Sequence, residues 1–478
     1  MNESNDNARL DLPSWRFKVA KLGCLSTGDI EFKPLTLVCG PNNTGKTWVM
    51  YALYGFLKSP SVIDLPDIAR IGEEVTSEGQ ISWDFEAWME SASSKIISSI
   101  HKSAKRRLPD IFNSPQALFA HSKFDWEIEH QNLKNFAIKR GINFSLVLGR
   151  ERNEALRFVK KPHEPLAKIT LQATNLPDIS FILSDAIARH LLGLPAPGER
   201  CAFLIPAERN GLHLFHRELS RRRTALLHHA TKKDKDINLG ELIRDVMASH
   251  YAEPIAHYID WLNDLPELRR NKRGLFHSVA EDVKKLVGGR YDVDTEGQIS
   301  FTPYKLKKGD GETPPKLDLH LASSTVKSLF GLWFYLEYEA QPGDVLMIDE
   351  PELNLHPSNQ RFLARLLARL VNCGLRVIIS THSDYIVREF NSLIMLSKPH
   401  AKRSELMERF GYQEPEALEP DKVAAYLFEN RGITLMDITQ EEGIHADTFD
   451  SVIHELNETS DEIYYTYQDL GEDDAWKG

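Results

Sequence analysis

Hydrophobic and polar positions change period several times along the chain, and each change marks a predicted element. Residues 15–39 alternate like half-buried strands, with "RFKVAKLG" and "GDIEFKPLTLVC" punctuated by Gly and Pro. In "GPNNTGKTWVMYALYGFL" the apolar spacing turns helical. Residues 62–122 continue as amphipathic helix, typified by "FEAWMESASSKIISSIHKSAKRRL". Residues 124–173 return to strand-like runs, in "FDWEIEH", "NFSLVLG", "ALRFVKK" and "AKITLQA". A helix is predicted around 179–193, a strand in "CAFLIPAERNG", and a mainly helical stretch over 212–287. Strands follow in "GRYDVDTEGQISFTP", then a helix from about Ser324 to Ala340, a buried strand over 345–349, a helix over 358–372 and a strand in "LRVIIS". The apolar periodicity of 401–478 predicts a folded β–β–α piece.

Strands alternating with helices at both ends, with a helix-rich stretch between, describe an α/β core split by an arm. The expected partition is a first half of the core over 1–60, a helical and strand-rich insertion over 61–199, a return strand over 200–212, a helical arm over 213–285, the second half of the core over 286–400 and an appendix over 401–478.

Composition narrows the class. The chain has 478 residues and a formal charge of −11, distributed unevenly. Residues 401–478 hold 6 Lys/Arg and 20 Asp/Glu, a net of −14, which leaves the remainder at +3. Residues 211–290 are basic, with 15 Lys/Arg against 11 Asp/Glu. Basic clusters at Lys105–Arg107, Arg221–Arg223, Lys232–Lys235 and Arg269–Arg273 could follow a phosphate backbone, or face solvent or a protein partner. Four cysteines without zinc spacing fit a reducing cytoplasm, and no apolar run is long enough for a membrane span. The polar start, "MNESNDNARLDLPSW", lacks the apolar core of a signal peptide.

Candidate chemistry sits in three motifs. Gly40-Pro41-Asn42-Asn43-Thr44-Gly45-Lys46-Thr47 matches GxxxxGK[ST], placed after an apolar strand and before a helix. Its glycines let backbone N–H groups face phosphate oxygens at a helix N-terminus, Lys46 can reach the β- and γ-phosphates of ATP, and Thr47 can ligate Mg²⁺. Such a loop needs an acid on a second strand. "VLMIDEPELNLHP" supplies Asp349 for the metal and Glu350 to polarise the attacking water. Asp349 follows Lys46 by 303 residues, so the fold must bring distant strands side by side. In "VIISTHSDY" a third apolar strand ends at His382, placed to sense the γ-phosphate.

This pattern resembles the ABC-type ATPases, and more narrowly the prokaryotic AAA-family ATPases that share a head with the overcoming-lysogenization-defect (OLD) nucleases. It is also similar to structural-maintenance-of-chromosomes and RecF-like heads. "FLIPAERNGL", with Pro206 to Arg209, resembles a strand of that family. The resemblance implies a P-loop head with antiparallel N-terminal strands, and ATP shared between two heads. It further implies a signature loop reaching across from the partner. Here Ser323 and Ser324 hold the signature positions, and Thr325 stands where many relatives have glycine. Asn354 and His356 match the turn after the acid strand, which in relatives lies at the dimer interface, and the glutamine loop has no clear match, Gln80 being the nearest. The OLD nucleases carry a further metal-binding nuclease domain. Beyond His382 this sequence shows no such pattern, so no intrinsic nuclease is expected. The resemblance implies an ATPase switch or scaffold in anti-phage defence, like the ATPase subunits of PARIS-like and Septu-like systems, with a separate effector protein. The alternative is a RecF- or SMC-like ATPase that binds DNA itself.

Overall fold

The computed structural model describes residues 15–58, 63–148, 153–173, 176, 178–197, 201–219, 251–271, 274–304, 314–445 and 447–469. The basic clusters Arg221–Arg223 and Lys232–Lys235 lie outside the described residues.

A nine-stranded sheet organises the chain. It contains β1 (Trp15–Leu22), β2 (Leu25–Phe32), β3 (Leu35–Cys39), β5 (Lys123–Trp126), β9 (Ala202–Ile205), β13 (Val345–Asp349), β14 (Arg376–Thr381), β15 (Val423–Glu429) and β16 (Gly432–Leu435), in the order β5-β1-β2-β16-β15-β3-β14-β13-β9. One wing is antiparallel, with β1 pairing β2 and β5. The other wing, β15-β3-β14-β13-β9, is parallel throughout. Sequence explains the split. In β1 the residues alternate buried and exposed, whereas every residue of β3, β9, β13 and β14 is buried. Parallel strands covered on both faces read as continuous apolar runs, which is what "LTLVC" and "VLMID" are.

Helices cover the parallel wing. The helix α1 (Lys46–Lys58) leaves the P-loop strand and buries ten of its thirteen residues. The insertion carries α2 (Ile68–Glu78), β4 (Gln80–Asp84), α3 (Phe85–Ile111), α4 (His130–Lys139), β6 (Ile142–Leu148), β7 (Asn153–Lys160), β8 (Leu166–Leu171) and α5 (Ile179–Leu191). Four of its strands form a separate sheet, β4-β8-β7-β6. The arm contributes α6 (Glu253–Asn263), α7 (Leu265–Arg270) and α8 (His277–Val287), followed by a small sheet of β10 (Gly289–Val293), β11 (Ile299–Pro303) and β12 (Leu317–Asp318). Then come α9 (Ser324–Tyr338), α10 (Pro357–Asn372), α11 (Asp384–Met395), α12 (Arg403–Phe410), the short pair β17 (Ile438–Thr439) and β18 (Gly443–Ile444), and α13 (Asp447–Asp469).

Two readings change. Residues 127–139, expected within a strand-rich stretch, include α4, whose Leu133, Phe136 and Ala137 make one buried helical face. The segment 401–478, expected as an appendix, instead places β15 inside the main sheet, hydrogen-bonded in parallel to the P-loop strand β3. The physical reason is edge coverage. Without β15, the N–H and C=O groups along one side of β3 would be unpaired in the core. Gly40 records the same contact. At φ +133° its Cα lies so close to Phe428 that an added Cβ would stand 2.2 Å from the Phe428 carbonyl oxygen. No helix among the described residues is long and apolar enough to cross a membrane.

Candidate nucleotide site

The three motifs converge at the C-terminal ends of β3, β13 and β14, the end of a parallel sheet where ligands bind. Lys46, Thr47, Asp349, Glu350 and His382 line one open cleft. The P-loop turn is shaped by Asn43 (φ +62°) and Gly45 (φ +101°), which curl the chain before the helix starts. Lys46 is only 6% exposed, and its ammonium donates to the carbonyls of Gly40 at 2.9 Å and Pro41 at 2.7 Å. Burial lowers its pKa, and Asp349 and Glu350 partly oppose that.

The Thr47 hydroxyl donates to Asp349 Oδ2 at 3.1 Å. Ser380, one strand over, donates its hydroxyl to the other carboxylate oxygen of Asp349. The adjacent β13–β14 register, Asp349 opposite Ser380, makes this pairing automatic. A hydroxyl and a carboxylate converging at the phosphate end form the hard oxygen donor set that suits Mg²⁺.

Glu350 breaks from the strand at φ +50°, a left-handed conformation that costs a residue with a Cβ on the order of 1 kcal/mol. Its N–H donates to Ser380 Oγ at 3.0 Å and Ser380 O at 3.2 Å. Its carbonyl accepts from Arg209 Nη2 at 2.7 Å. The side chain is left free to face the cleft, where burial, and then the neighbouring Asp349, raise its pKa. His382 Nε2 stands 3.6 Å from Glu350 Oε1 and, though buried, has no hydrogen-bond partner among the described residues. Burial, and then the Lys46 charge, lower the His382 pKa, which favours the neutral imidazole.

One further residue with a clear role carries no assignment from the sequence. Glu352 accepts from the His382 N–H at 2.6 Å and from Thr381 Oγ1 at 2.9 Å, and so fixes the turn that aims His382. Burial raises its pKa. Its signal was present in "DEPELN", a third acid in the run, but only the turn of β14 shows what it holds. The cleft also extends to Gly23 and Cys24 of the β1–β2 turn and to Trp48, which stacks on Phe112 at 4.4 Å. No local motif marks these.

Ser323 and Ser324 are not in this cleft. Both are exposed at the N-terminus of α9, where Ser323 caps the helix by accepting from the Val326 N–H at 3.3 Å. Thr325 donates to the Asn354 carbonyl at 2.9 Å, tying this N-terminus to the turn after the acid pair. His356 caps α10. Gln80 opens β4 in the insertion's own sheet, and does not line the cleft. The basic cluster at 105–107 is partly consumed by structure. Arg107 Nη2 donates to both carboxylate oxygens of Glu253, at 2.9 and 2.7 Å, and Lys105 donates to the Ala120 carbonyl at 3.1 Å.

A parallel sheet with a P-loop after one strand and an acid pair after another defines a P-loop ATPase head. The chain belongs to the AAA ATPase domain family, whose model matches residues 16–387. No curated protein matches the chain. Similar solved structures include an Smc head bound to the C-winged helix domain of ScpA, with 11% identity and a TM-score of 0.35, covering 89% of this chain and 98% of that one. A second is an Smc head with an extended coiled coil bound to the C-terminal domain of ScpA, derived from Pyrococcus furiosus, with 12% identity and a TM-score of 0.35, covering 93% and 99%. A third is the SMC head domain from Thermotoga maritima, with 13% identity and a TM-score of 0.29, covering 90% and 100%.

Proposed function

We propose that this chain is a Mg²⁺-dependent ATPase that works as a nucleotide-driven switch, closing against a second copy of itself. One observation carries the reading. The phosphate-facing groups of three distant segments share one open cleft, while Ser323 and Ser324 stand exposed outside it on a helix N-terminus. A helix N-terminus with exposed hydroxyls suits an anion, so the serines are placed to complete the cleft of another molecule.

In this account the P-loop N–H groups and Lys46 hold the β- and γ-phosphates of ATP. Thr47 and Asp349 would hold Mg²⁺, which neutralises charge on the phosphate oxygens when bound. Glu350, made more basic by burial and by Asp349, takes a proton from the attacking water. Neutral His382 presents Nε2 to the terminal phosphate and loses that contact after hydrolysis. Loss of the shared phosphate reopens the pair.

The family resemblance of the motifs supports a further assignment, a subunit of a prokaryotic anti-phage system that acts through a separate effector protein, with no nuclease chemistry of its own. The test is to express tagged Glu350→Gln with its flanking genes and isolate it with ATP and Mg²⁺, using Lys46→Ala as the control that cannot hold ATP. A stoichiometric second protein, lost in the control, is expected. Recovery of DNA alone would overturn the effector reading in favour of a RecF- or SMC-like ATPase.

A further inference from the structure

Arg209 touches neither the cleft nor solvent, being 2% exposed, yet it holds the backbone on which the acid pair stands. Its hydrogen bonds run to three carbonyls and one hydroxyl. Nη1 donates to Pro206 O at 3.1 Å and Asp349 O at 2.9 Å, Nη2 to Glu350 O at 2.7 Å, and Nε to Ser328 Oγ at 3.2 Å. A buried guanidinium is costly unless its donors are well placed, and here all three nitrogens are used.

The placement has two consequences. First, the strained peptide of Glu350 is clamped on both sides, by Ser380 at its N–H and by Arg209 at its carbonyl. A left-handed residue persists only where its surroundings over-determine it. Second, Ser328 lies on α9, one turn beyond Ser323 and Ser324, and its own hydroxyl donates to the Leu353 carbonyl at 2.9 Å. The same side chain therefore joins the helix that bears the signature serines to the turn that follows the acid pair.

We propose that Arg209 is a positioning residue for ATP hydrolysis. Its planar fork sets the direction in which Glu350 points, and through Ser328 it makes that direction depend on the placement of α9. When a second molecule engages the N-terminus of α9, the movement is delivered to the carboxylate that activates water. The inference rests on the reading that Glu350 is the base.

The experiment compares wild type, Glu350→Gln, Arg209→Lys and Ser328→Ala for phosphate release and for the Kd of a fluorescent ATP analogue. Lysine keeps the charge but offers one nitrogen, which cannot span three carbonyls and a hydroxyl. Arg209→Lys is expected to lose about 10- to 100-fold in kcat, the size of effect that a displacement near 1 Å produces, with ATP Kd unchanged and cooperative melting retained. Wild-type kcat in Arg209→Lys, with Glu350→Gln inactive, would overturn the proposal and leave the base assignment standing. Wild-type kcat in Glu350→Gln would instead overturn the base assignment, and the proposal with it. If Arg209→Lys does not fold, Ser328→Ala decides. It keeps the three guanidinium–carbonyl bonds and is expected to lose roughly three- to tenfold in kcat at unchanged Kd, as when one hydrogen bond is removed. An unchanged kcat there would overturn the coupling to α9.

Discussion

The Thr47 hydroxyl and the Asp349 carboxylate meet at 3.1 Å across 302 residues of chain. The contact fixes where a divalent cation would sit, between the start of α1 and the end of β13. Asp349→Ala is expected to lower ATP hydrolysis by about 100-fold or more, and Thr47→Ala to raise the Mg²⁺ concentration needed for half-maximal rate by about tenfold. Phosphate release measured across a Mg²⁺ titration checks both. An unchanged titration curve in both variants would place the metal elsewhere.

The pKa of Glu350 is raised by burial and by Asp349, so its carboxylate protonates at a pH above the ordinary glutamate value near 4.3. A general base works only when ionised. The rate should therefore fall as pH drops through the raised value, giving an acid limb in kcat. Glu350→Gln should be at least about 100-fold slower, with that limb absent. A limb that survives in Glu350→Gln would assign the proton transfer to another group.

Two histidines outside the cleft predict a pH dependence of stability. His190 bonds the Ala137 carbonyl at 2.8 Å, and His213 lies between the Lys327 carbonyl at 2.9 Å and Tyr258 Oη at 2.7 Å. Burial lowers the pKa of each to about 3. In the unfolded chain each titrates near 6.5, so between these values the unfolded state binds more protons. Their contribution is complete above pH 6.5 and is lost as pH falls toward 3, at up to about 1.4 kcal/mol per pH unit for each histidine. Urea midpoints at pH 7.5 and 5 should drop more for wild type than for His190→Gln. Equal slopes would mean that carboxylates alone carry the acid sensitivity.

Because β15 pairs with β3 and Phe428 packs on Gly40, the acidic C-terminal segment belongs to the nucleotide site's own sheet. A chain ending at residue 400 should fail to melt cooperatively and should not bind ATP. A chain ending at 446, which keeps β15 to β18, should retain both. Calorimetry and nucleotide binding on the two truncations test this, and a fully active 1–400 chain would contradict it.

Much of the site was legible because its chemistry is tied to local order. A P-loop needs glycines at fixed positions and a helix directly after, and "GPNNTGKT" shows both; "VLMIDE" and "VIISTH" are fully buried strands ending in polar groups. What was not legible depends on neighbours brought in by the sheet. Nothing near Val423 announces that β15 will lie against β3, because a parallel pairing leaves no hairpin signal. Arg209 and Glu352 act on backbone atoms of residues far along the chain or across a strand, and a side chain's choice of carbonyl has no sequence pattern. The insertion's α4 was hidden because a ten-residue helix with three buried positions resembles a strand run over so short a window.

In the proposed switch ATP closes two copies over a shared site, with Ser323 and Ser324 supplied by the partner. Light scattering on purified Glu350→Gln tests it most directly, with and without MgATP, beside the same protein carrying Ser324→Arg. The expected result is a mass that doubles with MgATP in Glu350→Gln, and a monomer with undiminished ATP binding when Ser324→Arg is added. A mass that does not respond to MgATP, or a dimer that forms equally well with Ser324→Arg, would contradict it.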